Sequence, residues 1–296
     1  MIVRFQNPSV ARGWCAALRE RKRSLGFVPT MGALHAGHLE LVRCALAEND
    51  AACVSVFVNP LQFNEKRDFE RYPRDFEHDA RLLDEIGCSM VFTGTLASFF
   101  PRELRANGEF DPHALRAPGP AAVGLEGAHR PGHFAGVATI VERLFEVVRP
   151  TRAYFGRKDY QQTLVVRDLA RRLSAPEIVV CPTSREASGL ARSSRNELLS
   201  PEDRVRATAI IAGLRAARSA WKQGERDAWR LSETIRARIV LEPAFELEYA
   251  AVRDPEHWTA DEPRGAMERA IALVAARIGG VRLIDNLRLD APDDEA

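Results

Sequence analysis

At 296 residues, with 46% hydrophobic and 28% charged side chains, the chain has the composition of a globular protein able to bury one sizeable core or two smaller ones. A formal net charge of +1 argues against a surface built mainly to hold nucleic acid or an anionic membrane, while local arginine clusters can still serve a small anion. The chain has no apolar run of about 18 residues, and MIVRFQNPSVARGWCAALRERKR lacks the unbroken apolar stretch of a secretory leader, so a cytoplasmic protein without a membrane span is expected.

In chain order, LGFVPT (25–30) reads as a strand leading into a helix over His35–Ala47. AACVSVFVN (51–59) is continuously apolar, as a parallel strand covered on both faces requires. RDFEHDARLLDEIG reads as helix and CSMVFTG as strand. Past a Pro- and Gly-rich loop (108–132), FAGVATIVERLFEVV is helical, TRAYFG strand-like, QQTLVVRDLARRL helical and EIVVCPT strand-like. This alternation predicts an α/β fold with a doubly wound, Rossmann-like parallel sheet, whose ligands bind beyond the C-terminal strand ends.

From about residue 180 the pattern changes. SPEDRVRATAIIAGLRAARSAWKQG predicts one long helix, with Ser200 as N-cap and Pro201 at its first position. A further helix and the runs FELEYAAVRD, RAIALVAARI and VRLIDNLRL predict a smaller C-terminal α+β domain. The expected division is 1–179 and 180–296, with DAPDDEA at the end disordered. Cys15, Cys44, Cys53, Cys88 and Cys181 are odd in number and scattered, and read as small buried hydrophobes in a reducing compartment.

Within FVPTMGALHAGHLELVRCAL, His35 and His38 fall on one face of the first helical turn. A helix start presents backbone N–H groups and a positive dipole end to phosphate. Gly37 lets a flat group such as a purine approach the backbone, and imidazole N–H groups can donate to phosphate oxygens. A zinc site joining these two to His129 and His133 is disfavoured, because Pro131 and Gly132 break the second pair. FGRKD (155–159) starts at another strand end.

PTMGALHAGH resembles the signature of the pantothenate synthetase (pantoate–β-alanine ligase) family within the H-x-G-H nucleotidyltransferases. SVFVNPLQFNE, RYPRDFEHD, LEGAHRPGHFAGVATIVERLF, FGRKDYQQ, GLARSSRN and RLIDN match it in order along nearly the whole chain. The resemblance implies that pantoate attacks the α-phosphate of ATP to give pantoyl adenylate and pyrophosphate, and that β-alanine then displaces AMP. Mg²⁺ is the implied cofactor.

It further implies that Met31, Gly32, Ala33, Leu34, His35, Ala36, Gly37 and His38 line the ATP site, with His35 and His38 on phosphate and His38 as proton donor. Gly156, Arg157, Lys158 and Asp159 join them, Lys158 bringing a charge to the phosphates. Ser193, Ser194 and Arg195 match a phosphate-contacting loop, with Ser184 and Arg192 near the nucleotide. Gln62 and Gln162 match pantoate-binding glutamines, and Asn59 a substrate-side position. Arg130 and His133 are expected near this pocket, as ligand contacts or as loop structure. Residues 1–179 would then bind nucleotide and pantoate, 180–296 would serve as a lid, and the protein would be a homodimer.

Two positions depart from the family pattern. Ser188 stands in place of an aspartate in REASGLA, and Arg157 where glutamate is common. Both bear on loop closure and turnover, and they leave room for a non-catalytic nucleotide-binding paralogue. Another H-x-G-H nucleotidyltransferase is the remaining alternative, though it would lack the paired glutamines and RPGHFAGV.

Overall fold

The computed structural model describes residues 1–174 and 176–291. The expected disorder of the end of the chain concerns residues largely outside that range. Two compact units divide the chain. The first takes Met1–Ala122, Arg130–Gly156 and Gln161–Cys181; the second takes Val123–His129, Arg157–Tyr160 and the chain from Pro182 onward.

The first unit is built on six parallel strands, β1 (Val3–Phe5), β2 (Leu25–Thr30), β3 (Ala51–Val56), β4 (Met90–Phe92), β5 (Arg152–Gly156) and β6 (Glu177–Cys181), in the order β1-β4-β3-β2-β5-β6. β2 has β3 on one side and β5 on the other, so the winding reverses beside it, which is where such sheets place their ligands.

The helices up to β6 are α1 (Pro8–Glu20), α2 (Ala36–Glu48), α3 (Lys66–Arg71), α4 (Phe76–Glu85), α5 (Leu96–Phe99), α6 (Leu125–His129), α7 (His133–Val148) and α8 (Tyr160–Leu173). Period-two alternation sends Leu25, Phe27, Cys53, Met90, Phe92, Ala153 and Phe155 into a core with α1, α5, α7 and α8. Their neighbours Val28, Val54, Val91 and Tyr154 pack under α2 and α4 on the opposite face. Burial on both faces is why these strands read as unbroken apolar runs. β1 and α1 went unassigned from sequence, although Asn7 accepts from the Ser9 amide as N-cap and Pro8 opens the helix.

In the second unit, β7 (Glu246–Arg253), β8 (Ile271–Ile278) and β9 (Val281–Arg288) form an antiparallel sheet. The β8–β9 turn is Gly279-Gly280 with φ of +56° and +76°, the left-handed pair that a two-residue hairpin requires. One face of the sheet, through Ala250, Val252, Ala272 and Val274, buries Ile210, Leu214, Leu231 and Ile235 of the covering helices. The single long helix expected over 200–224 is instead two, α9 (Pro201–Arg206) and α10 (Thr208–Lys222), followed by α11 (Ala228–Ile239). The Thr208 hydroxyl donates back to the Val205 carbonyl at 2.7 Å, a local bond that competes with the helical ladder at the break.

Two short stretches preceding residue 180 belong to this unit. Glu126 of the first is held by Arg282 and Tyr249, and Tyr160 of the second donates to the Pro255 carbonyl at 3.1 Å. Such pairings span about a hundred residues or more and leave no local signature. Four cysteines are buried and Cys44 is half-buried, all as thiols. Burial pushes the Cys88 thiol up to about 12, which suits a packing residue better than a nucleophile. Among the described residues no helix is long and apolar enough to cross a membrane.

Candidate active site

β2 ends at Thr30, and the chain turns sharply through Gly32 and Ala33, with φ of +84° and +51°. Left-handed backbone disfavours alanine by roughly 1–2 kcal/mol, so something must hold it there. Asp79 of α4 does so. Its carboxylate, 1% exposed, accepts from the backbone N–H of Ala33 at 3.1 Å and of Leu34 at 2.8 Å. A side chain at Gly32 would press on Asp79 and Val56. Leu34 is buried in the core beneath α2, so it contributes backbone geometry and packing to this loop.

His35 is the N-cap of α2. Its Nδ1 accepts from the Gly37 amide at 3.2 Å, and His38 Nδ1 accepts from the His35 amide at 3.4 Å. With Nδ1 an acceptor on each ring, the neutral tautomer assigned from this network carries its proton on Nε2. The ring centroids are 4.1 Å apart. The backbone seat expected for phosphate is therefore partly filled by the rings, which pass the donor role outward to two Nε2–H groups. Met31, Ala33, His35, Gly37 and His38 are half-buried, Ala36 is exposed, and Gly32 is buried with Leu34.

The segment after β3 meets the same loop. Gln62 Nε2 donates to Met31 Sδ at 2.7 Å, and Gln62 Oε1 accepts from Asn59 Nδ2 at 3.1 Å. Asn59 is 1% exposed; its Nδ2 also donates to the Gly136 carbonyl, and its Oδ1 accepts from Leu61 N. Its amide thus joins Gln62 to the backbone of helix α7. His133 Nδ1 lies 2.8 Å from the Gln62 carbonyl and Arg130 donates to that carbonyl at 3.3 Å, so this pair fixes the backbone of the same glutamine. Gln161 donates to the Ala121 carbonyl, whereas half-buried Gln162 makes no side-chain hydrogen bond among the described residues. Gly156 is the last residue of β5.

Two effects follow. Asp79→Asn puts an NH₂ against one of two backbone donors and is expected to cost about 1–3 kcal/mol in a urea melt. Burial raises the Asp79 pKa despite the bonds from Leu34 and Ala33. The folded state therefore holds this proton longer than the unfolded state, and stability from this group falls as pH climbs above the ordinary carboxylate value. Urea melts across the acidic range should show that slope in the parent and not in the variant. At Gly136 an added Cβ would strike the Leu61 carbonyl. Gly136→Ala is expected to cost about 1–3 kcal/mol in a urea melt.

In the second unit the C-terminal end of β9 organises two loops. Asn286, 3% exposed, donates to the carbonyls of Arg157 and Lys158, both at 2.9 Å. Asp285 takes Arg185 in a bidentate pair at 2.7 and 3.1 Å. Lys158 Nζ stands 3.9 Å from Asp159 Oδ1, with the lysine side chain 19% and the aspartate 48% exposed. The Ser184 carbonyl accepts from the Arg192 amide at 2.9 Å, and Arg192 Nε donates to the Arg185 carbonyl. Ser193 accepts from Arg195 N and caps the short 3₁₀ turn Ser194–Leu198. Inside that turn, buried Asn196 donates to Glu186 and to the Ala191 carbonyl. Burial opposes the Glu186 charge, yet Arg204 and Asn196 hold its pKa below the usual range. Ser188 is exposed, and its hydroxyl accepts from Leu190 N at 3.4 Å within a turn also closed by Gly189 N to the Glu186 carbonyl at 2.8 Å.

Asp79, Arg185, Glu186, Asp285 and Asn286 had no assigned role in the sequence. The signal was present, since RYPRDFEHD ends on Asp79 and RLIDN on Asp285-Asn286, but the partners lie too far along the chain for spacing to reveal them.

Residues 4–288 match the family model described as pantoate-beta-alanine ligase. Among curated relatives, the pantothenate synthetase of Rubrobacter xylanophilus is 48% identical over 288 residues, covering 96% of this chain and 98% of its own. That of Herpetosiphon aurantiacus is 44% identical over 275 residues, covering 92% and 95%. The crystal structure of pantothenate synthetase from Thermus thermophilus superposes with a TM-score of 0.86 at 42% identity, covering 97% of this chain and 99% of that one. Pantoate-beta-alanine ligase from Francisella tularensis, solved complexed with beta-gamma ATP and beta-alanine, gives 0.78 at 31% identity, with 99% of each chain covered.

Proposed function

The chain belongs to the pantoate–β-alanine ligase family, and from that premise we infer how its own residues carry the reaction. The reaction is the ATP-dependent joining of pantoate and β-alanine to pantothenate through a pantoyl adenylate, with release of pyrophosphate and AMP. The observation that carries the assignment of roles is the Gln62–Met31 bond. It ties the amide suited to a hydroxy acid to the loop suited to a nucleotide.

The pantoate carboxylate is ionised near neutrality and needs no base to attack the α-phosphorus. What the first step requires is alignment and donors for the charge that grows on the departing pyrophosphate. His38 and His35 offer Nε2–H groups whose direction is set by their Nδ1 bonds. Lys158 adds a point charge from a backbone held by Asn286, and Ser193, Ser194 and Arg195 add donors on a braced turn. Gln62 and Gln162 take the pantoate hydroxyls and carboxylate, with Asn59, Arg130 and His133 fixing Gln62. In the second step the β-alanine amine forms the amide bond as AMP leaves, and the amine's proton passes to solvent.

Asp159, whose carboxylate is half-exposed beside Lys158, would share the shell of a Mg²⁺ ion bound with ATP, which would shield the phosphate oxygens. A cytoplasmic homodimer is also proposed, on the family resemblance, with sedimentation velocity as its check. Ser188 gives no support to a non-catalytic paralogue. As an exposed residue in a turn closed by backbone bonds, it is expected to tolerate Ser188→Asp with less than about 0.5 kcal/mol change in a urea melt.

Purified protein with ATP, Mg²⁺ and pantoate should release pyrophosphate, and pantothenate and AMP should appear by mass spectrometry only when β-alanine is added. Bound ATP with neither product would overturn the reading.

A further inference from the structure

Two loops of the second unit that were given phosphate-side roles above are held by the same neighbouring pair, Asp285 and Asn286 near the end of β9. The Asn286 side-chain amide donates to the carbonyls of Arg157 and Lys158, each at 2.9 Å. The carbonyl of the same residue accepts from Arg185 at 3.1 Å, and its backbone N–H donates to Asp285 at 2.7 Å. Arg185 also donates to both oxygens of Asp285 and to the Gly189 carbonyl, so its guanidinium is fixed from several sides. Its own carbonyl accepts from Arg192 Nε at 3.1 Å, one residue before Ser193. An unbroken chain of bonds thus runs from Lys158 through Asn286 and Arg185 to the Ser193–Arg195 turn. It is buried: the Arg185 side chain is 14% exposed, that of Asp285 4%, and Asn286 3%. A buried ion pair stabilises a fold no better than apolar groups of the same volume, so stability alone does not call for one here. What the charges and the amide add is direction, because each bond ends on a particular atom of one loop or the other.

We propose that Arg185, Asp285 and Asn286 are positioning residues that couple Lys158 to the Ser193–Arg195 turn, so that both meet the departing pyrophosphate in one geometry. The proposal rests on the roles given above to Lys158, Ser193, Ser194 and Arg195, and adds that these groups do not act independently. Neither loop has a long element to stiffen it, since Arg157–Asp159 and Ser194–Leu198 are short 3₁₀ turns. Displacing a group by about 1 Å from the reacting phosphate can cost roughly 10²-fold in rate. A shared support therefore has a kinetic consequence although its own atoms need not touch substrate. Releasing Asn286 should disturb Lys158 directly, and Arg195 through Arg185.

The test is rapid-quench measurement of pyrophosphate release from ATP, Mg²⁺ and pantoate. Asn286→Ala is placed in three backgrounds: the parent, Lys158→Ala, and Lys158→Ala/Arg195→Ala. The expected loss is about 10–100-fold in the parent, smaller but present once Lys158 is replaced, and absent once both groups are gone. A loss of one size in all three backgrounds would mark a structural role. A loss that vanishes as soon as Lys158 is replaced would mark local support without coupling. Either result overturns the proposal. Arg185→Lys is read in parallel, so that a failure of Asn286→Ala to fold leaves the question answerable. It keeps a charge against Asp285 but cannot span Asp285 and the Asn286 carbonyl at once. The same graded loss is expected for it, with Arg195→Ala in place of Lys158→Ala as the middle background. Parental rates in the Lys158→Ala and Arg195→Ala single variants would remove the roles assigned above, and this proposal with them. Slow single variants combined with either failing pattern overturn the proposal alone.

Discussion

His38→Asn is expected to slow pyrophosphate release by about 10²–10³-fold, a loss of about 3–4 kcal/mol of transition-state stabilisation, while leaving the melting temperature nearly unchanged. The separation is possible because the cap and the proposed phosphate contact fall on different atoms of the ring. Nδ1 accepts from the His35 amide at 3.4 Å and so completes the reciprocal cap of α2. Asparagine can supply that acceptor with its side-chain oxygen, but it has no donor at the reach of Nε2. His38→Ala removes both functions, and its further loss of stability over His38→Asn measures the cap alone, about 1 kcal/mol. His35→Asn is expected to behave alike, since asparagine is a favoured N-cap. If both rings act on one phosphate group, the double variant will lose much less than the product of the two single losses. Rapid-quench measurement of the first half-reaction, paired with thermal melts, reads both quantities. A His38→Asn enzyme with full turnover would remove the imidazole from the chemistry and leave it as a cap.

The parts legible in the sequence were those written in local period and punctuation. β2, α2, α7, β5 and the three strands of the second unit fall within a residue or two of their expected limits, because apolar runs and helical stripes register burial directly. Asn59 was read at the right turn, but the sequence could not show that its amide would donate to the Gly136 carbonyl, 77 residues away. Asp79 lies 45 residues from the Leu34 amide that it accepts from, and the left-handed turn it restrains includes an alanine, a residue that carries no turn signal. The break between α9 and α10 was hidden for a different reason: a threonine inside an apolar stripe gives no warning that its hydroxyl will turn back on the preceding turn. Long-range polar bonds, more than packing, therefore separate what was read from what was missed.

The largest stability effect is expected at Arg282. Its guanidinium donates to both oxygens of Glu126, at 2.6 and 2.9 Å, and through Nε to Glu248 at 2.8 Å. The side chains of all three are less than one-fifth exposed. Burial opposes the arginine's charge, but the two carboxylates outweigh it and raise its pKa. Tyr249 donates to Glu126 and Arg277 to Glu248, so Arg282 is the cation that joins the 123–129 stretch to the sheet of the second unit. Arg282→Met leaves Glu126 buried without its guanidinium and should cost about 3–5 kcal/mol, a fall in Tm of roughly 6–20 °C. The sign of the pH dependence separates this cause from lost packing. Without Arg282 an ionised Glu126 is buried with no guanidinium beside it, so the variant's deficit is expected to be smaller at acid pH, where a carboxyl is neutral, than near neutrality. Adding Glu126→Leu to Arg282→Met should recover most of the loss, because two apolar groups need no counter-charge, whereas a deficit that is independent of pH and persists in the double variant would assign the effect to packing.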